Sequence, residues 1–236
     1  MAAWTPWVEG EVRGLQRVVR SGDVVVDVGA ALGIYTCVLS RLVGPTGVVV
    51  SVEPLPALYA PYDAWLRLRR AGNVSRYDGA LGAEPHTAKV SVPLRHDRPV
   101  TGRAFVTTGA TGLGSNEEFA GHREYDVAVT TLDQLVNRLE LDRVDLVKVD
   151  VEGGELALLR GAAATVDTSR PAVLLEIEDR HLRRYGHSSA DVVGWFRSHD
   201  YEMSIWAEGG WRPVSRVTEL RRNYLFRPAE DAPRPD

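Results

Sequence analysis

The sequence is short of cysteine: Cys37 is the single thiol among 236 residues. One thiol can form neither an internal disulfide nor a cysteine-based zinc site, so both are excluded. Cys37 occupies an apolar position of a predicted helix, which favours a small buried side chain over a nucleophile. Hydrophobic residues make up 44% and charged residues 25%, as is typical of one folded α/β domain rather than a disordered chain.

Long apolar runs and an excess of positive charge are also missing. No stretch approaches the ~20 apolar residues of a membrane span, and the opening MAAWTPWVEGEVRGLQ lacks the apolar core of a signal peptide. The net charge of −4 gives no long-range attraction to nucleic acid or anionic lipid. We therefore expect a cytoplasmic protein without a nucleic-acid or membrane partner. The sequence leaves the oligomeric state open, and a homodimer is possible.

What is present first is an alternation of two hydrophobic periods. The β-branched runs at 23–29 and 47–54 are typical of strands buried on both faces of a parallel sheet. Apolar residues at helical spacing follow each run, at 34–42 and 58–66. Strand, helix, strand and helix in this order predict a doubly wound, Rossmann-like α/β fold.

The rest of the chain continues as a single domain, 1–236, with 1–20 as an N-terminal helical cap and 228–236 as a frayed tail. The Gly-, Thr- and Ser-rich segment 95–125 predicts a lid or acceptor-binding loop, with a disordered insertion as the alternative. Further elements are predicted as strands near 74–77 and 89–93, a capped helix from 131, a strand, turn and helix over 145–162, a strand over 171–179, a capped helix from 188, and a final antiparallel pair that includes a Gly-Gly turn.

The segment VVVDVGAALGIYT, residues 24–36, has the form of a strand, a small-residue loop and a helix start. Such a loop presents backbone N–H groups to a ligand. A phosphate-binding P-loop is excluded because no Gly-Lys-Ser/Thr follows. A dinucleotide fingerprint fits poorly, because Ala31 stands where the middle glycine of G-x-G-x-x-G should be.

S-adenosylmethionine, which has no phosphate, fits these residues better. Asp27 ends the first strand and could meet the ligand's ammonium directly or through water. Glu53 ends the second strand, where a carboxylate could bind both ribose hydroxyls. Because a ribose-binding acid also suits NAD, an NAD-dependent sugar-modifying oxidoreductase remains an alternative, although the chain offers no Tyr-x-x-x-Lys pair to activate a carbonyl.

A second motif, LVKVDVEGGELALLRGA at 146–162, follows the loop and SVEP at 51–54. Together with DGAL at 78–81, VTTLDQL and NYLFRP, these segments resemble the FkbM-type S-adenosylmethionine-dependent methyltransferases over about residues 20–227. The resemblance implies a class I methyltransferase fold with a seven-stranded, mostly parallel sheet and an antiparallel C-terminal strand. It also implies methyl transfer to a hydroxyl of a natural product or sugar.

The resemblance and the loop together give a predicted cofactor site. A non-catalytic methyltransferase-like module is the remaining alternative, and the intact acids Asp27, Glu53 and Asp150 argue against it. The predicted cofactor residues are Asp27, Gly29, Ala30, Gly33, Tyr35, Thr36, Glu53, Asp78, Ala80, Leu81 and Asp150.

An acceptor hydroxyl needs a proton acceptor, and three residues are candidates for that base: Asp150, Glu176 and His181. Asp150 could instead hold the methionine end of the cofactor, Glu176 could be a buried partner of Lys148, and His181 could simply be exposed. Glu152 and Glu155 are interpreted as acids that complement a helix dipole. A magnesium site built from Asp150, Glu176 and Glu178 is possible but not favoured.

Overall fold

The computed structural model describes residues 10–55 and 72–229. These residues form thirteen strands and seven α-helices. The strands are β1 Val24–Val28, β2 Val48–Val52, β3 Val74–Tyr77, β4 Ala80–Leu81, β5 His86–Arg95, β6 Arg98–Pro99, β7 Phe105–Val106, β8 Gly121–Thr130, β9 Leu146–Val149, β10 Ala172–Glu176, β11 Tyr201–Ala207, β12 Gly210–Pro213 and β13 Asn223–Pro228. The helices are α1 Val12–Leu15, α2 Ile34–Val43, α3 Leu132–Arg138, α4 Glu155–Arg160, α5 Ala163–Ser169, α6 Asp179–Leu182 and α7 Ser189–Ser198.

A large mixed sheet forms the centre of the molecule, with the strand order β12-β11-β13-β10-β9-β1-β2-β3. The five strands from β10 to β3 pair in parallel, and β13, β11 and β12 join antiparallel. The predicted doubly wound, mostly parallel sheet with an antiparallel C-terminal strand is confirmed. The sheet has eight strands within the described residues, rather than the seven expected.

The additional strand comes from the C-terminal hairpin. Glu208 and Gly209 adopt positive φ and reverse the chain between β11 and β12, while β13 returns between β10 and β11. The indole Nε1 of Trp211 in β12 donates to the carbonyl oxygen of Gly14 in α1 at 3.1 Å. This contact fixes the outermost strand to the N-terminal helix, so the edge carries three strands instead of a pair.

Helices cover both faces of the large sheet because its central strands are made almost entirely of apolar or buried residues. Val25 packs in one core with Leu39 of α2, whereas its neighbour Val26 packs in the other with Leu158 of α4 and Phe196 of α7. Since side chains alternate along a strand, Asp27 points to the same face as Val25, towards α2. Asp27, which precedes the glycine loop, therefore lies beneath α2.

A second, smaller sheet occupies the segment where the sequence predicts a long loop. Its order is β4-β8-β5-β6, with β7 paired to β5, and β5 and β8 are paired from His86–Val129 to Leu94–Gly121. Ala88, Val90, Val127 and Val129 alternate with exposed residues and form a third core. Residues 95–125 therefore include β6, β7 and the start of β8, because this buried alternating face outweighs the Gly- and Thr-rich composition.

Two predicted helix starts are confirmed by their caps. The Thr131 hydroxyl accepts from the backbone N–H of Gln134 at the start of α3, and Ser188 with Asp191 forms the capping box of α7. The predicted helix at 58–66 lies outside the described residues, as do 1–9 of the predicted cap and 230–236 of the predicted tail. In the described part of the chain, no helix has the length and apolar character to cross a membrane.

Candidate active site

A cavity of about 600 Å³ opens at the carboxyl ends of the parallel strands. The large sheet contributes Gly29, Glu53, Asp150 and Glu176 to its wall, and the second sheet closes the opposite side. Ligand sites in open α/β sheets lie at this edge, and the volume suits a small molecule. The cavity therefore lies where the sequence places both the cofactor and the acceptor.

The turn after β1 is packed directly against the turn after β9. Gly29 has φ +76°, and a Cβ built on it would lie 1.8 Å from the carbonyl oxygen of Asp150. No side chain fits in that gap. The N–H groups of Gly29 and Ala30 both donate to the carbonyl of Val52 at 3.0 Å, so the loop is fixed by backbone contacts on both sides.

Glu53 is held by this loop and faces the cavity. Its Oε2 accepts from the N–H of Ala31 and its Oε1 accepts from the N–H of Leu55, both at 2.9 Å. The residue is only 7% exposed, and burial raises the pKa of its carboxyl, while the two backbone hydrogen bonds oppose that shift. Each carboxylate oxygen keeps a second lone pair for a ligand. The position fits the predicted ribose contact.

Asp27, Lys148 and Asp150 form a buried charged cluster beside the loop. Lys148 is 2% exposed and its Nζ lies 3.1 Å from Oδ2 of Asp150. Asp27 is fully buried and accepts from the hydroxyl of Thr36. Burial alone would lower the pKa of Lys148, but the charges of Asp150 and Asp27 outweigh it and the pKa is raised. The sequence suggested Glu176 as the partner of Lys148; the ion pair at shortest distance is with Asp150.

Asp27 and Asp150 lie in the same small pocket of about 220 Å³, and Asp150 also lines the main cavity. Asp27 does not line the main cavity, because the Gly29 turn stands between. One of its carboxylate oxygens, Oδ1, is buried with no hydrogen-bond partner among the described residues. Burial raises the pKa of Asp27, and the charge of Lys148 opposes that shift.

Several other predicted cofactor residues also lie away from the main cavity. Ala30 and Tyr35 line the small pocket, Thr36 is bonded to Asp27, and Gly33 is the N-cap of α2. Asp78 points to solvent, with a side chain 63% exposed and an ion pair to Arg76. The three residues that follow Asp78, namely Gly79, Ala80 and Leu81, line the cavity instead.

Of the three predicted bases, Asp150 and Glu176 line the cavity and His181 does not. The His181 ring is buried behind the wall, with Nδ1 2.8 Å from Oε2 of Glu152 and Nε2 3.7 Å from Oε1 of Glu178. A Cβ on Gly153 would lie 2.5 Å from the carbonyl oxygen of His181, so this glycine lets the 150–154 turn approach α6 and cover the ring. His181 as a base in the cavity is therefore corrected to a buried neighbour of Glu152.

Glu152 and Glu155 have more specific positions than their interpretation as helix acids. Glu152 lines the cavity and adopts φ +51°, an uncommon conformation for a residue with a side chain. Glu155 begins α4, but its Oε1 accepts from the N–H of Gly153 at 2.9 Å. Burial raises the pKa of Glu155 to about 7, against the opposing hydrogen bond of Gly153. Only the motif spacing marked these residues in the sequence.

The buried carboxyl of Glu155 predicts a dependence of stability on pH. Between its ordinary pKa of 4.5 and about 7, the folded chain holds a proton that the unfolded chain releases, so stability falls as the pH rises through that window. We expect Glu155→Gln to remove about 3 kcal/mol of this decline. Urea unfolding of both proteins from pH 4.5 to pH 8 measures it. Glu117→Gln, at an exposed position, is the control; parallel curves for wild type and Glu155→Gln would contradict the assignment.

No group of three or more His, Cys, Asp or Glu side chains is arranged to hold a metal ion within residues 10–55 and 72–229. Asp150 is engaged by Lys148, and Glu178 forms a bidentate pair with Arg180 at 2.8 and 2.9 Å. The carboxylates considered for magnesium thus have cationic partners of their own.

Residues 27–203 match the family described as the Methyltransferase FkbM domain. This range includes both motifs and most of the chain. The chain belongs to this family. The FkbM chain is similar to Methyltransferase 1 of Beauveria bassiana, with 27% identity over 58% of this chain and 57% of that protein. It is equally similar to the hexuronic acid methyltransferase AglP of Haloferax volcanii, with 27% identity over 66% of this chain and 59% of that protein.

The solved FkbM methyltransferase of Methylobacillus flagellatus superimposes with a TM-score of 0.57 at 18% identity, over 91% of this chain and 45% of that one. The fold is that of the class I S-adenosylmethionine-dependent methyltransferases. The chain spans less than two thirds of the length of these relatives, so the match establishes the methyltransferase domain and its fold.

Proposed function

We propose that the FkbM chain is an S-adenosylmethionine-dependent O-methyltransferase acting on a hydroxyl of a small molecule, either a natural product or a sugar. The observation that supports the proposal most is Glu53, which directly follows β2. Its carboxyl faces the cavity and accepts a hydrogen bond from the N–H of Ala31 in the glycine loop. A carboxylate there can bind a vicinal diol with charge-assisted hydrogen bonds. The orphaned oxygen of Asp27 and the acidic cavity wall suit a cationic ligand.

When bound, S-adenosylmethionine supplies an electrophilic methyl group, so the protein's own residues have two tasks. The cavity must hold the acceptor oxygen at attack distance and exclude water. A base must take the hydroxyl proton. Asp150 is paired with Lys148 at 3.1 Å, so its carboxylate is already engaged by a cation. We propose that Asp150 contributes negative charge to the cavity wall, and that Glu176, which faces the same cavity, accepts the proton of the acceptor hydroxyl.

A titration by calorimetry tests the cofactor. We expect S-adenosylmethionine and S-adenosylhomocysteine to bind, NAD to give no heat, and EDTA to leave the affinities unchanged. Binding of NAD in place of the two sulfur ligands would support the oxidoreductase alternative, and binding of none would support the non-catalytic module. A screen of hydroxylated metabolites with methyl-labelled S-adenosylmethionine then tests the acceptor class, and a label found only on nitrogen would contradict O-methylation. The hexuronic acid methyltransferase among the relatives makes sugar hydroxyls the first acceptors to try.

A further inference from the structure

The segment between β6 and β8 is fastened to the short turn after α6 at the cavity wall. The Tyr185 hydroxyl donates to the carbonyl of Val106 at 2.5 Å. The N–H and hydroxyl of Thr111 both donate to the carbonyl of Arg184, at 2.7 and 2.9 Å. These contacts bury the Arg184 side chain under the segment.

Arg184 carries a buried guanidinium without hydrogen bonds. The residue is 3% exposed, and its guanidinium carbon lies 3.7 Å from the ring centroid of Phe105. Its Nε, Nη1 and Nη2 are all buried and have no hydrogen-bond partner in the described part of the chain. Tyr185, through its charge and its hydroxyl, and Glu152, through its charge, raise the pKa of the guanidinium against the larger lowering effect of burial, but no Arg184 nitrogen has a hydrogen bond of good geometry in the described part of the chain.

Arg103 adds a second unsatisfied donor in the same region. Its Nη2 is 2.8 Å from Oε1 of Glu118, whereas its Nη1 is buried and unpaired among the described residues. Arg103 is close enough to Arg184 for its charge to lower the pKa of that guanidinium, an effect smaller than that of burial. Two guanidinium groups therefore share one neighbourhood with four unsatisfied nitrogens.

Such an arrangement is costly unless an anion completes it. A buried charged group that lacks its hydrogen bonds is destabilised relative to its state in water, and buried arginines are normally paired with carboxylate or phosphate. Arg103, Phe105 and Tyr185 also line the main cavity. A ligand in the cavity can therefore reach Arg103 directly, whereas Arg184 lies against the Phe105 ring and does not itself line the cavity.

We infer that Arg103 binds an oxyanion, a carboxylate or a phosphate, carried by the methyl acceptor, and that the buried charge of Arg184 behind Phe105 strengthens this binding. The inference rests on the proposed function and narrows it: the acceptor is a hydroxylated acid or a phosphorylated alcohol rather than a neutral polyol. Phe105 packs against the guanidinium of Arg184 and Glu118 holds Arg103, so both cations have fixed positions beside the bound anion.

The test uses D-glucuronate, D-glucose 6-phosphate, D-glucose and inorganic phosphate as probes, each titrated into the protein with and without S-adenosylhomocysteine. We expect one of the two charged sugars to bind and D-glucose to bind at least about tenfold more weakly, as the loss of one charge-assisted pair predicts. Binding by glucuronate alone identifies a carboxylate site, and binding by the sugar phosphate alone a phosphate site. No binding by either charged sugar would overturn the inference, as would D-glucose binding as tightly as the charged sugars.

Variants of the wall complete the test. Arg184→Met and Arg103→Gln should each weaken the binding of the charged sugar by about tenfold or more, while the affinity for S-adenosylhomocysteine stays unchanged. Arg103 is partly exposed, so its variant keeps the test valid if Arg184→Met unfolds. Arg123→Gln, at an exposed position of β8, is the matched control. If Arg103→Gln binds the charged sugar as tightly as the wild type does, the inference is overturned. If the wild-type protein does not bind S-adenosylhomocysteine, the proposed function is overturned instead.

Discussion

Replacing Lys148 by methionine is expected to lower the free energy of unfolding by about 3–5 kcal/mol, the cost of leaving buried charge without its partner. The substitution keeps the apolar stem of the side chain but removes the cation between Asp27 and Asp150. Asp27 is then fully buried, with the hydroxyl and the backbone N–H of Thr36 left to stabilise its charge. Urea denaturation at pH 7, followed by circular dichroism, measures the loss.

The chain supplies a matched control, because it contains only one other lysine, Lys89. Lys89 also lies 3.1 Å from a carboxylate, that of Asp126, but both side chains are exposed. Exposed ion pairs contribute little because water solvates both charges. We therefore expect Lys89→Met to leave stability nearly unchanged. Equal losses in the two variants would show that burial of the Lys148 cluster is not what makes it important.

Glu53→Ala should weaken the binding of S-adenosylhomocysteine by about 30-fold or more, since charge-assisted hydrogen bonds to the ribose are removed. The variant also loses the bonds that Glu53 accepts from Ala31 and Leu55, so the loop itself becomes less rigid. Calorimetric titration gives the affinity. A thermal unfolding curve recorded on the same sample shows whether the fold is intact.

Glu84→Ala is the control for this prediction. Glu84 lines the same cavity but is exposed, so its removal changes the local charge without disturbing the glycine loop. We expect its affinity for S-adenosylhomocysteine to stay close to that of the wild type. An unchanged affinity in Glu53→Ala, or the same loss in both variants, would show that the ribose assignment is wrong.

The large sheet and the ends of its strands could be predicted because the information is local. Runs such as 24–28 and 48–52 are entirely β-branched or buried, which specifies strands without reference to distant residues. Once the strands are parallel, topology alone brings Glu53, Asp150 and Glu176 to one edge. The eighth strand escaped prediction because the edge hairpin depends on Trp211 packing against α1, almost two hundred residues away in sequence.

The second sheet and the far wall of the cavity could not be predicted because they depend on remote pairings. β5 and β8 pair with each other although a long Gly- and Thr-rich segment, which the composition predicts to be a loop, separates them in sequence. Lys148 forms an ion pair with Asp150, a partner that the sequence did not indicate, while the charge of Glu176 also acts on it. His181 turns inward because Gly153 permits a close backbone approach, and Arg184 is buried only when the 105–111 segment folds over it.

The contact between Gly29 and the Asp150 carbonyl divides the molecule into regions of unequal tolerance to change. At this contact the turn after β1 packs directly against the backbone of the turn after β9, so nearly any substitution at Gly29 would displace both turns. On the other side, the hairpin from β5 to β8 makes its own small core and touches the 183–185 turn through a few exchangeable contacts. We therefore expect exchange of the hairpin to be tolerated better than substitution of Gly29.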